Sequence, residues 1–271
     1  VITQRKSSVE TGNTITINAA ENATANVTIS DVNINTSDAA VSTNGKGNVN
    51  IELDGTNTLQ SGRNYAGLEK SNDGKMTITD ENENGKLIAT GGNYGAGIGG
   101  GDSDNGSNIT ITGGDITATG GDCGAGIGGG FSAGGKNITI AGGKVTAIGG
   151  TNGAGIGGGL RKNGEKITVS GDATLKVQGG PADEGDGAGA GIGNGGSHNG
   201  DYPEPCIPVN GAETEPDTSN LTTGKIEYYA PGADMTKDKP TSTTLGSGQP
   251  EPVSPGETAA PVEYRMQTSA S

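Results

Sequence analysis

Apolar residues over roughly the first two hundred positions come in short alternating triplets rather than helical stripes. Val27-Thr28-Ile29, Val49-Asn50-Ile51, Met76-Thr77-Ile78, Ile109-Thr110-Ile111, Ile138-Thr139-Ile140 and Ile167-Thr168-Val169 each place one polar residue between two apolar ones. Asn13–Asn18 shows the same alternation. A period of two turns apolar residues to one face and polar residues to the other, as in a half-buried strand. The β-branched content and the bounding glycines argue against helix. The interval between triplets is irregular at first and constant from Ile109 onward, and the polar stretch Asp80–Gly85 accounts for the longest, from Met76 to Ile109.

A second strand follows each later triplet: Leu87-Ile88-Ala89, Ile116-Thr117-Ala118, Val145-Thr146-Ala147 and Leu175-Lys176-Val177. A Gly-Gly pair comes two residues after each. The string Gly-Ala-Gly-Ile-Gly-Gly-Gly then occurs at Gly95–Gly101, Gly124–Gly130 and Gly153–Gly159, with a degenerate copy at Gly189–Gly195. Ile98, Ile127 and Ile156 recur at one fixed interval, 127 − 98 = 156 − 127 = 29. A fixed period of this size marks a solenoid, whose repeats bury their apolar faces only by stacking. The fold class expected is all-β: a single-stranded, right-handed parallel β-helix of about six to seven turns, three short strands per turn. Leu68, Ile98, Ile127, Ile156 and Ile192 should stack as one internal ladder. Residues 1–200 form the β-helix in this reading. Residues 201–230, with Gly224–Ala230 as a strand, supply a cap or return strand, and the Pro/Ser/Thr-rich residues 231–271 form a linker or extended tail.

Composition would otherwise suggest disorder, since only 29% of the 271 residues are hydrophobic and 54 are glycine. The repeat overturns that, because ladders in register need few apolar residues. The net charge of −14 leaves no basic face for nucleic acid, and no apolar run is long enough to span a membrane. The chain opens on Val1 without a leader pattern, which suits a mature or excised fragment. Cys123 and Cys206 fit neither a disulfide framework nor a metal knot; a bridge holding the tail is one reading, two free thiols the expected one.

Candidate chemistry lies on the corners and outer faces. Thr28, Asn50, Thr77, Thr110, Thr139 and Thr168 should form an outward ladder, with Thr117 and Thr146 beginning another. Such hydroxyl arrays suit polysaccharide or ice, although Thr also simply favours exposed parallel strands. Tyr65 and Tyr94 share matching contexts and the spacing of the isoleucines (94 − 65 = 127 − 98), so they should stack at one corner as a platform for sugar rings. Asp102 and Asp104, with Asp115 and Asp122 on neighbouring corners, make oxygen-rich turns that would suit calcium, and Asp183–Asp186 is a second acidic turn. Asp and Asn are also ordinary turn formers. No cofactor is otherwise implied. His198, the only histidine, is expected in an exposed turn with no acid–base partner, so no catalytic set is expected. The Asn-x-Ser/Thr sequons at Asn22, Asn26, Asn35, Asn108, Asn137 and Asn220 read mostly as by-products of strand starts.

The repeat Gly-Gly-x-x-Gly-Ala-Gly-Ile-Gly-Gly-Gly, alternating with Asn-Ile-Thr-Ile-x-Gly-Gly, resembles the carbohydrate-binding-domain surface proteins secreted by clostridia and other Firmicutes. These have a pectate-lyase-like β-helix, and the resemblance covers about Asn13–Gly200. It implies an extracellular, secreted or wall-attached location in a larger surface protein, binding to acidic or cellulosic polysaccharide, and calcium. The function expected is a noncatalytic module that binds a glycan or acts as an adhesin. A structural stalk is the alternative, and a polysaccharide lyase the third reading.

Overall fold

A computed structural model of the chain describes residues 1–183, 185–199 and 207–249. Among them there is no helix; the chain winds into a parallel β-solenoid with three walls. The first wall holds Ile2–Thr3, Thr24–Ser30, Asn48–Asp54, Met76–Thr79, Gly106–Ile111, Gly135–Ile140 and Gly164–Val169. The second runs from Asn33–Asn35 through Thr56–Gln60, Lys86–Thr90, Asp115–Thr119 and Lys144–Ile148 to Thr174–Gln178. The third holds Ile15–Ala19, Val41–Gly45, Leu68–Lys70, Ile98–Gly99, Ile127–Gly128, Ile156–Gly157 and Ile192–Gly193. The chain passes the first and third walls seven times each, so about six turns separate first passage from last.

The expected ladder forms: Leu68 pairs with Ile98, then Ile127, Ile156 and Ile192. All five are fully buried. Each such burial is worth about 2 to 3 kcal/mol relative to exposure. Ladders on the other two walls, such as Met76–Ile109–Ile138–Ile167 and Leu87–Ile116–Val145–Leu175, face it across a core one side chain deep per wall. One expected rung is displaced. Val27 pairs with Ile51, and Thr28 therefore with Glu52, while Asn50 lies beside Asn26 and Thr77. The strand Val49-Asn50-Ile51-Glu52-Leu53 offers two alignments that preserve inside and outside. Pairing along the whole of Thr24–Ser30 and Asn48–Asp54 selects the second.

The glycine motif is more than a flat wall. The Ala96 N–H donates to the Gly100 carbonyl at 3.0 Å, and Ala125 and Ala154 do the same to Gly129 and Gly158 at 2.9 Å. Each motif thus closes on itself, with a two-residue strand between the bonded ends and its isoleucine in the core. The residue after the isoleucine takes a positive φ, 139° at Gly99 and Gly128, which side-chain-bearing residues rarely adopt. Asn108 and Asn137 also sit at positive φ, 58° and 55°, at equivalent positions where the pairing of their strands is interrupted. Asn is the residue that best tolerates this conformation after glycine. The Asn137 side-chain amide donates to Asn108 Oδ1 at 3.0 Å.

At the far end, Lys225–Tyr229 pairs parallel to Thr174–Gln178, and Ser242–Leu245 pairs antiparallel to Lys225–Tyr229. Asp217 and Leu221 bridge to Thr168 and Gly171, so one segment covers the open first wall as well.

Candidate functional site

The outer faces carry the polar ladders. Thr77, Thr110, Thr139 and Thr168 align in register on the first wall, each half-buried. On the second, Thr117 and Thr146 align, flanked by Ile88 and Lys176.

At the corner between these walls the chain builds a groove of about 680 Å³ running along the rod. Thr56, Lys86, Asp115, Lys144 and Thr174 occupy one register position on five successive turns. Positive, negative and positive side chains thus recur at about the 4.8 Å separation of parallel strands. Asp80, Glu83, Asn84, Thr112 and Asp172 also line the groove. Among the described residues Lys86, Asp115 and Lys144 form no ion pair, so their hydrogen-bonding capacity faces the groove.

The predicted tyrosine stack is corrected by the register. Leu68 pairs with Ile98, an interval of 98 − 68 = 30, whereas Tyr65 and Tyr94 are separated by 94 − 65 = 29. Counting back four from Leu68 and Ile98 places Tyr94 beside Asn64, one residue before Tyr65. The turn from Leu68 to Ile98 carries the polar stretch Asp80–Gly85. Tyr94 packs instead on Phe131, ring centroids 5.2 Å apart and tilted 50°. The Arg63 guanidinium lies 5.1 Å from the Tyr94 ring and donates to its hydroxyl at 3.2 Å. Tyr65 stands exposed.

The predicted acids occupy three corners. Asp102 and Asp104 follow the third wall, where the Asp102 N–H donates to the Asn64 carbonyl at 2.8 Å. Asp115 opens a second-wall strand, and Asp122 lies between second and third walls beside Cys123. Among the described residues no group of three or more Asp, Glu, His or Cys gathers closely enough to hold a metal ion.

His198 departs from the sequence expectation of a partnerless, exposed turn. Its Nδ1 lies 2.9 Å from Asp186 Oδ1, and its side chain is only 16% exposed. Arg161 grips the same carboxylate in a two-point fork, Nε to Oδ1 at 3.0 Å and Nη2 to Oδ2 at 2.7 Å. The Asn152 amide donates to the Asp186 and Gly187 carbonyls. Burial pushes the Asp186 carboxyl up, but the hydrogen bonds and charges of Arg161 and His198 outweigh it and hold the group below the usual range. Cys123 is a free thiol, and burial, aided by Asp122, Asp183 and Asp186, pushes it up to about 11. A thiol so disfavoured as thiolate is not a nucleophile. The cluster ties Asp186, in the insertion before the degenerate glycine motif, to the turn beneath it. The insertion's traces in the sequence are the interval from Ile156 to Ile192, longer than the constant one before it, and the acidic turn Asp183–Asp186. Cys206 lies outside the described residues.

The chain matches the model of a β-helix repeat family over residues 83–102, 109–131 and 138–160, which are consecutive regular turns built around the glycine motif. Comparison with curated proteins and with solved structures found no match. Fold and family model agree over those turns: the chain winds as a parallel β-solenoid, and the matched turns within it are similar to β-helix repeats.

Proposed function

We propose that this chain is a noncatalytic glycan-binding module of an extracellular surface protein, holding a polysaccharide along the groove between its first and second walls. The observation that carries the reading is the axial series Lys86, Asp115 and Lys144, flanked by threonine ladders. An extended polymer presents hydroxyls at regular steps, and a solenoid presents donors and acceptors at regular steps. Each contact alone is weak, but contacts on one polymer act at high effective concentration. The only histidine is committed to Asp186 and the Cys123 thiol is held protonated, which favours binding over chemistry.

Pull-down on polysaccharide panels with and without calcium, followed by titration calorimetry on the best polymer, tests this. The combined substitution of Lys86, Asp115 and Lys144 by Ala changes the surface only, so the fold should hold within about 0.5 kcal/mol. Affinity should fall about tenfold or more, as the loss of about 1.4 kcal/mol of groove contacts requires. Absence of binding to every polymer would refute the proposal and favour the stalk. Ultraviolet-absorbing unsaturated product from pectin would refute it in favour of a lyase.

A further inference from the structure

We propose that the C-terminal cap carries a separate pocket for an organic ammonium ligand, in which Tyr228 provides the ring surface and Glu213 and Glu215 the countercharge. The pocket, about 600 Å³, lies between residues 213–218 and the hairpin formed by Lys225–Tyr229 and Ser242–Leu245. Its lining combines Tyr228, Pro216 and Pro231 with the Thr218, Thr241 and Ser242 hydroxyls. Both carboxylates line it, and among the described residues no Lys, Arg or His does.

The parts are fixed in different ways. Glu213 accepts the Gly191 N–H at 2.6 Å and the Ile192 N–H at 2.9 Å, which covers the open edge of the third wall and holds the carboxylate still. Each oxygen keeps a further lone pair for a ligand. Glu215 is exposed and lines the same pocket. Tyr228 lies so close to the Gly191 backbone that a Cβ there would come 3.1 Å from its ring. Tyr228 lines the pocket and packs against the end of the core. Burial, then the charges of Glu213 and Glu215, push the Tyr228 phenol up to about 12, as expected where the local field is negative. Of the nearby cations, Lys176 lies 5.8 Å from the ring centroid of Tyr229, which also lines the pocket, and 3.5 Å from the Met235 carbonyl, while Lys225 in the hairpin pairs with Glu227.

An aromatic face flanked by carboxylates in a half-enclosed, partly apolar pocket fits a cation with an apolar body. A hard metal ion would need six or more oxygens, which this lining does not gather. The chemistry shared by suitable ligands is a protonated or quaternary amine on a compact body, whether an amino sugar or a choline-like group.

Titration of the full chain with glucosamine, choline and N-acetylglucosamine, followed by NMR shifts, separates the readings. At least one of the two cations should bind, with N-acetylglucosamine about tenfold weaker or worse, since it keeps the sugar ring and lacks the charge. Glucosamine binding without choline identifies the amino sugar, and the reverse a choline-like group. Glu215→Gln, which disturbs no backbone contact, should weaken binding about tenfold, and added salt should weaken it further. Tyr228→Phe keeps the ring and should stay within about twofold. Equal binding of N-acetylglucosamine, an unchanged Glu215→Gln, or no binding by either cation would overturn the proposal. The groove variant lacking Lys86, Asp115 and Lys144 should bind the amine normally, so the two sites fail or succeed independently.

Discussion

Replacing Gly128 by Ala should be among the most damaging single-methyl changes available to this molecule. Two separate effects converge there. The residue has φ of 139°, where an L side chain is strained by about 1 to 3 kcal/mol. A Cβ built on it would lie 2.0 Å from the Gly157 carbonyl oxygen of the next turn, a full ångström closer than real Cβ contacts come. That oxygen is backbone, locked by the Gly129 N–H at 3.0 Å, so relief requires separating two turns. Loss of even one or two such ladder bonds adds about 1 kcal/mol each. The sum is about 4 kcal/mol, a large part of a typical domain's stability. Gly232→Ala serves as the control, because φ there is 77° and nothing lies within 4 Å of its Cβ position. It carries the conformational term alone, about 1 kcal/mol. Urea titration followed by circular dichroism measures both. If Gly128→Ala comes within about 1 kcal/mol of Gly232→Ala, the close approach between turns is not what the motif's glycines serve.

Two further outcomes concern the insertion. Because the Asp186 carboxyl is depressed in the folded state, its stabilisation is complete above the ordinary Asp value of about 3.9 and drains away as pH falls through the folded value. Thermal melts from pH 7 downward should show a steeper acid loss for the native chain than for Asp186→Asn, and parallel acid limbs would contradict the assignment. In a Cys206→Ser background, the Cys123 alkylation rate should rise with pH toward a midpoint near 11, whereas a midpoint near the ordinary thiol value of about 8.5 would refute the buried, acid-flanked setting.

Much of the coil was legible because its causes are local and repeated. Alternation in Ile109-Thr110-Ile111 sets a face, and its recurrence at Ile138-Thr139-Ile140 sets a stack. Register was less legible wherever two alignments satisfied the same alternation. Thr28 moved by a full residue pair for that reason, and Tyr65 missed Tyr94 because the turn from Leu68 to Ile98 is longer by one position than the two turns after it. The positive-φ requirement was hidden in plain composition: Asn before Ile-Thr-Ile looks like a sequon, yet Asn108 and Asn137 both take the left-handed backbone conformation that Asn tolerates. His198 could not be paired in advance, since its partner Asp186 comes from an insertion whose path no repeat dictates.

Translational repetition also limits where each kind of chemistry can arise. A solenoid offers the same position again at every turn, so its regular walls suit a ligand that itself repeats, and the Lys86–Asp115–Lys144 corner is such a surface. A pocket for one compact ligand needs unlike groups converging from different directions, which identical turns cannot supply. Those groups converge only where the repeat breaks. In this chain it breaks at the insertion before the degenerate glycine motif, where Asp186 is held by Arg161 and His198, and at the cap, where Glu213 and Tyr228 meet around open space. Placing the polymer on the walls and the small cation in the cap follows from that division, and it is why substitutions at one should leave the other untouched.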